Sequence, residues 1–249
     1  MKIKEIVSAL ERFAPLPLQD GFDNAGLQIG LTEAEATGAL LCLDVTEAVL
    51  DEAIALGHNL VISHHPLIFK GYKSITGKDY VERCILKAIK NDIVIYSAHT
   101  NLDNAYGGVN YKIAEKIGLK NLQVLEPKEN SLQDDLMQAG AGIVGELDEP
   151  ETELEFLKRI KKTFEVGCVR HNRLTGREIQ KVALCGGAGA FLLPQAIRAG
   201  ADVFITGEIK YHDYFGHEGD ILMAEIGHYE SEQYTKEIFY SIIRDLFTN

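Results

Sequence analysis

The stretch LCLDVTEAVLDEAIALGHNLVISHH, residues 41–65, reads as a strand, a helix closed by Gly57, and a second strand that ends on two adjacent histidines. The pattern returns without a gap at residues 184–208, LCGGAGAFLLPQAIRAGADVFITGE. Leu41, Cys42, Leu50, Ala53, Ile54, Gly57 and Ile62 there meet identical residues at Leu184, Cys185, Leu193, Ala196, Ile197, Gly200 and Ile205. A strand joined through a helix to the next strand is the unit of a parallel sheet, so a duplicated unit predicts an α/β fold. The expectation is two similar, interlocked α/β domains from an internal duplication, with mostly parallel sheets flanked by helices.

The rest of the chain fits around these units. Ile3, Ile6, Val7 and Leu10 recur at helical spacing until Pro15 and Pro17 stop the first helix. DYVERCILKAIKN reads as a helix and DIVIYSAH as a strand after it. From Leu125 the rhythm is lost through EPKENSLQDD and recovers at MQAGAGIVGEL; a helix follows Pro150, and VGCVRHN and IQKVALCGG read as strands. Residues 1–124 with about 220–249 are expected to form the first domain, and 125–219 the second.

Composition narrows the function. With 249 residues and 46% hydrophobic content the chain has enough apolar material for a large core or two smaller ones. No apolar run is long enough for a membrane span, and the N-terminal helix is amphipathic, which predicts a cytoplasmic protein. A net charge of −12 disfavours binding to nucleic acid. Cys42, Cys84, Cys168 and Cys185 lack metal-binding spacing and read as thiols of a reducing compartment.

Ligands of open parallel sheets bind outside the carboxyl ends of the strands. Here those ends carry His64, His65, Asp103, His228 and Glu232. Three imidazoles and two carboxylates exceed one tetrahedral site and suit two ions sharing ligands. Adjacent side chains in a continuing strand point to opposite faces, but Pro66 takes the chain out of the pleat, so His64 and His65 are each expected to hold a different ion. An offset of 129 lays IYSAHTNLD on AEIGHYESE and pairs His99 with His228 and Asp103 with Glu232. His58, His171 and His217 read as loop residues, whereas His212 follows a strand end closely enough to face the same cleft. Asp23 and Asn24 sit in a glycine-flanked turn, as turn caps or as cleft residues.

DNAGLQIG, LVISHHPLIF, AHTNLDNAYGGVN, ADVFITGEIKYHD and GHYESE, in this order, resemble the NIF-three-like dinuclear metal-binding family, whose bacterial members are commonly named GTP cyclohydrolase 1 type 2 homologues. The resemblance implies two similar α/β domains, a ring-shaped homohexamer, and two divalent metal ions per subunit on His64, His65, Asp103, His228 and Glu232. It places His99 beside the site or on substrate. FDNAGL departs at Phe22 and Ala25 from the usual Trp and Val of that segment. The chain resembles the short form, without an inserted regulatory domain.

The expected activity is that of a metal-dependent hydrolase of a small molecule, nominally GTP ring opening by a metal-bridged hydroxide, with His99 or Glu208 moving protons. The alternatives are a two-metal nucleotide phosphoesterase, and a metal-loaded ring that serves as a scaffold or regulatory binding protein. Mixed imidazole and carboxylate ligation suits zinc, iron or manganese.

Overall fold

The structure is a computed structural model that describes residues 1–128, 139–217 and 219–248. It falls into two compact units, Met1–Leu102 with Thr235–Asn249, and Asp103–Tyr234. Among the described residues no helix is long and apolar enough to cross a membrane.

The first unit contains α1 (Ile3–Phe13), β1 (Gly26–Ile29), β2 (Ala39–Cys42), α2 (Glu47–Leu56), β3 (Leu60–Ser63), α3 (Tyr80–Lys90) and β4 (Val94–Ser97). Its sheet has the order β1-β4-β3-β2, with β2, β3 and β4 parallel and β1 antiparallel at one edge. Helix α2 starts where the Thr46 hydroxyl accepts the Val49 N–H and stops where Gly57 takes φ +68°, a left-handed conformation that suits glycine. β3 and β4 are buried along their whole length, as strands covered on both faces must be. Leu50, Ala53, Val61, Ile85, Ala88 and Ile95 form part of the core that joins α2 and α3 to the sheet.

The chain leaves this unit within α4 (Thr100–Asn104). The second unit holds α5 (Val109–Ile117), β5 (Lys120–Pro127), β6 (Gly140–Thr152), α6 (Glu153–Thr163), β7 (Arg170–His171), β8 (Glu178–Cys185), α7 (Leu193–Arg198), β9 (Val203–Thr206), β10 (Leu222–Glu225) and α8 (His228–Glu232). The last helix, α9 (Thr235–Thr248), belongs to the first unit and packs on α1. The second sheet runs β5-β6-β8-β9-β10-β7. Its parallel part is β8-β9-β10, extended on both sides by antiparallel strands.

The duplication is visible residue by residue. In the first unit Ala39 pairs with Leu60 and Cys42 with Ser63; in the second, Val182 pairs with Val203 and Cys185 with Thr206. Adding 143 to each number of the first set gives the second, so the strand register repeats as well as the sequence. Leu50 and Ala53 are buried in one core where Leu193 and Ala196 are buried in the other.

Other expectations change. The third strands correspond at an offset of 128, because Ser63 pairs with Ser97 and Thr206 with Glu225. The extra residue is taken up at Gly227, φ +96°, so His228 follows its strand by three positions and His99 by two. VGCVRHN forms a strand only at Arg170 and His171. EPKENSLQDD lies from residue 129 onward outside the described residues, and the apolar run after it becomes the long strand β6 from Gly140. The expected boundaries near 124 and 220 both fall inside the second unit, where α5 packs on β6 and β8, and β10 pairs with β9.

The β3–α3 connection is pinned by Glu82, a fully buried carboxylate. Its Oε2 accepts the backbone N–H groups of Thr76, Gly77 and Lys78 at 2.8, 2.8 and 3.1 Å. The Thr76 N–H, joined by the Lys78 N–H and ammonium, outweighs burial and holds the Glu82 carboxyl down to about 2. A depressed carboxyl stabilises the fold above its unfolded pKa of about 4.3, and the contribution is lost as pH falls toward 2. Glu82→Gln is therefore expected to unfold at lower urea than the parent at pH 6, with the gap narrowing below pH 4; urea titrations followed by circular dichroism measure both.

Candidate metal centre

At the end of β3 the backbone turns sharply: the amides of His64 and His65 both reach the Leu43 carbonyl, at 3.1 and 2.9 Å. Two consecutive side chains can then leave the sheet at its carboxyl edge. His64 is fully buried, with Nδ1 2.9 Å from the Ala98 carbonyl oxygen. His65 Nδ1 lies 2.8 Å from Asp44 Oδ1, and His99 Nδ1 lies 2.8 Å from Asp23 Oδ1.

Each of the three rings thus has an oxygen acceptor at Nδ1. That arrangement places the proton on Nδ1 and the lone pair on Nε2, the tautomer a metal-binding imidazole needs. Ring centroids are 4.9 Å apart for His64 and His65, 5.2 Å for His64 and His99, and 5.4 Å for His65 and His99. One nitrogen from each of the three lies within 4.8 Å of the others. Imidazoles crowded this way are donors aimed at one region, and the set fits a borderline-soft divalent ion.

Asp23 is the anchor of His99. Besides the ring it accepts the Asn24 N–H at 2.7 Å, the Thr100 N–H at 3.0 Å and the Thr100 hydroxyl at 2.5 Å. Burial alone would raise this carboxyl, but the His99 and Thr100 hydrogen bonds prevail and hold it down to about 2. Asn101 completes the turn: its Oδ1 accepts the His99 N–H at 2.9 Å and its Nδ2 donates to the Ala14 carbonyl at 2.7 Å.

The second unit has its own donors. His228 and Glu232 fall one turn apart on α8, as the i, i+4 spacing requires, with Nε2 3.2 Å from Glu232 Oε2. His228 Nδ1 is 2.7 Å from Glu208 Oε1, so this ring repeats the carboxylate–imidazole arrangement of His65 with Asp44. Glu232 is buried beside Gly187, where a Cβ would stand 2.3 Å from its Oε1. Asp103, on the α4 turn, is steadied through its backbone carbonyl, which accepts from Asn110 Nδ2 at 3.0 Å while Asn110 Oδ1 accepts the Gly186 N–H at 2.9 Å. Imidazole beside carboxylate is again a donor set that fits a divalent ion.

Among the described residues, none of the candidate ligand groups includes His58, His171, His212 or His217. His212 stacks edge-on to Tyr211 instead. Sequence reasoning missed Asp44, Asn101, Asn110 and Gly187. Asp44 had a signal: it follows β2, the neighbour of β3 in a parallel sheet, at the same carboxyl edge. Asp44→Ala is expected to weaken metal binding about 10- to 100-fold, read by competition with a chromogenic chelator, with the far-ultraviolet dichroism unchanged.

A family model described as Duf34/NIF3 (NGG1p interacting factor 3) matches residues 1–249. The chain belongs to the Duf34/NIF3 family. A Clostridium perfringens relative named GTP cyclohydrolase 1 type 2 homolog is 38% identical over 235 residues, covering 93% of this chain and 87% of its own. A Lactococcus lactis relative of the same name is 35% identical, covering 98% and 91%. The fold matches the crystal structure of a Staphylococcus aureus hypothetical protein with TM-score 0.89 at 31% identity, over 100% of this chain and 92% of that one. A Bacillus cereus protein related to NIF3 matches with TM-score 0.88 at 28% identity, over 98% and 94%. A Staphylococcus aureus relative named GTP cyclohydrolase 1 type 2 homolog is 28% identical in an alignment of 346 positions, more than the 249 residues here, so it carries sequence without a counterpart in this chain.

Proposed function

We propose that this Duf34/NIF3 protein is a dinuclear-metal-dependent hydrolase of a small nucleotide-type molecule, with GTP ring opening as its nominal reaction. The observation that carries the reading is the histidine cluster of the first unit, whose three Nδ1 atoms are each bonded to an oxygen. A structural cluster has no need of a common tautomer; two ligands, His64 and His65, beside a proton carrier, His99, each need a free Nε2. The names of the Clostridium perfringens and Lactococcus lactis relatives support the nucleotide assignment.

In this proposal His64, His65, Asp103, His228 and Glu232 hold two ions of zinc, iron or manganese. Two divalent ions supply Lewis acidity and lower the pKa of water toward neutrality. His99 accepts and returns a proton at Nε2, and Asp23 stabilises the imidazolium so formed. Glu208 holds the His228 ring in its ligating orientation, as Asp44 does for His65. The family resemblance further supports assembly of six chains into a ring, for which sedimentation velocity is expected to give a single species of six times the 27.6 kDa chain mass.

The test is turnover of GTP and of a panel of phosphoesters by protein loaded separately with each metal, with formate release as the mark of ring opening. Metal-dependent turnover that ends on chelation supports the proposal. Fully loaded protein that turns over none of them favours the binding-protein reading.

A further inference from the structure

The second unit has an open hollow of about 510 Å³ lined by Val169, Arg170, His171, Asn172, Tyr211, Tyr214 and Phe215. Its volume is in the range of small-molecule sites, roughly 300–1,000 Å³. Two features set it apart. Among the described residues the lining contains a guanidinium and an imidazole and no carboxylate side chain, in a chain of net charge −12. It also exposes large aromatic surface, since Tyr211 is 73% and Phe215 is 52% exposed.

The rings are arranged rather than scattered. Tyr211 and Phe215 meet edge to face at 5.1 Å and 86°, and His212 stands edge-on to Tyr211 at 5.1 Å. A 3-10 turn over Tyr211–Tyr214 presents them, and Tyr214 fixes the turn to the sheet by packing on the core around Phe204 and Met223. Below them lies Glu225, 9% exposed, which accepts hydrogen bonds from Arg170 and from the Tyr214 hydroxyl. One arm of the Arg170 fork is held there, and among the described residues the other guanidinium donors are engaged by no further carboxylate, which leaves them for an anion. His171 has Nδ1 2.6 Å from the Asn172 carbonyl oxygen, which fixes the ring at the edge of the hollow.

We infer that this hollow binds a nucleotide, with its base stacked on the Tyr211 ring and edge-on to Phe215, and its phosphate on Arg170. Flat aromatic surface accepts any base face, and a guanidinium pairs with phosphate through two donors. The inference goes beyond the proposed metal chemistry, since every residue it uses lies in the second unit and none is a proposed metal ligand. The turn follows Glu208, the partner of His228, by three residues, a span of at most about 11 Å of chain. The same loop therefore carries the bound base and the carboxylate that orients a ligand.

The chain contains no tryptophan, so Tyr211→Trp creates a single fluorescent reporter on an exposed position. Titration of the full-length variant with guanosine 5′-monophosphate is expected to quench it, with quenching retained after chelation of metal; a Leu31→Trp chain, labelled at another exposed position, stays unchanged. By calorimetry on the unlabelled protein, Tyr211→Ala is expected to weaken guanosine 5′-monophosphate about 5- to 100-fold. Arg170→Gln, checked for an unchanged melting profile, is expected to erase the preference for the monophosphate over guanosine.

Absence of binding, or equal binding by parent and Tyr211→Ala, overturns the inference. So does binding that Tyr211→Ala leaves intact and chelation removes, which would put the nucleotide at the metal ligands and leave the proposed function standing. Retained monophosphate preference in Arg170→Gln overturns the phosphate assignment. A metal-free parent that still binds through Tyr211 separates this site from any failure of the hydrolase reading.

Discussion

His65→Ala is expected to lower metal-dependent hydrolysis by at least about a hundredfold, while leaving the melting profile of the metal-free protein close to the parent's. The loss exceeds the roughly 10- to 100-fold expected when only a residue that orients a ligand is changed, because a proposed donor atom itself is removed. The fold is spared because the His65 ring stands beyond the end of β3 and bonds to Asp44, which is itself exposed. His64→Ala removes a fully buried side chain and is expected to cost stability as well. Steady-state rates and calorimetric melting of both variants separate these effects. A His65→Ala protein as active as the parent would remove His65 from the chemistry.

The second large effect is at Gly187. Its φ is +59°, and a Cβ would approach Glu232 Oε1 to 2.3 Å. Gly187→Ala is expected to combine left-handed backbone strain of about 1–3 kcal/mol with displacement of the Glu232 carboxylate. Both readouts should move together: the urea midpoint falls, and metal affinity falls with it. Gly57→Ala provides the contrast, since it shares the left-handed conformation at φ +68° but an added Cβ meets nothing within 4 Å. It should lose stability alone. Metal affinity that falls equally in both variants would mean that general loosening, rather than the Glu232 cradle, is responsible.

Much of this was legible in the sequence for a physical reason. The βαβ unit is local, so its apolar periodicity and closing glycine survive as a readable pattern, and duplication prints the pattern twice; Ala39–Ser63 and Val182–Thr206 carry the same register. The polar residues at strand ends were readable because a buried strand such as Leu60–Ser63 has no packing use for two histidines after it. What escaped was the non-local part. Arg170–His171 pairs with Ala224–Glu225 across more than fifty residues, and nothing in VGCVRHN reports that only two residues will pair. The long antiparallel strand Gly140–Thr152 showed in the sequence only as a glycine-broken apolar run, whose length and partners nothing local reports. Asp44 and Gly187 occupy the same place in the two repeats, one to hold a histidine and the other to admit a carboxylate; their roles depend on His65 and Glu232, which lie far away in the chain.

The most direct test of the proposed dinuclear centre is metal content per chain, by plasma mass spectrometry, on untagged protein prepared without chelator, beside His65→Ala and Glu232→Ala. About two equivalents of divalent metal in the parent and a clear fall in both variants is the predicted result. No metal in the parent after growth in metal-replete medium, or variants that retain the parent's content, would contradict it and leave the histidine cluster as polar architecture.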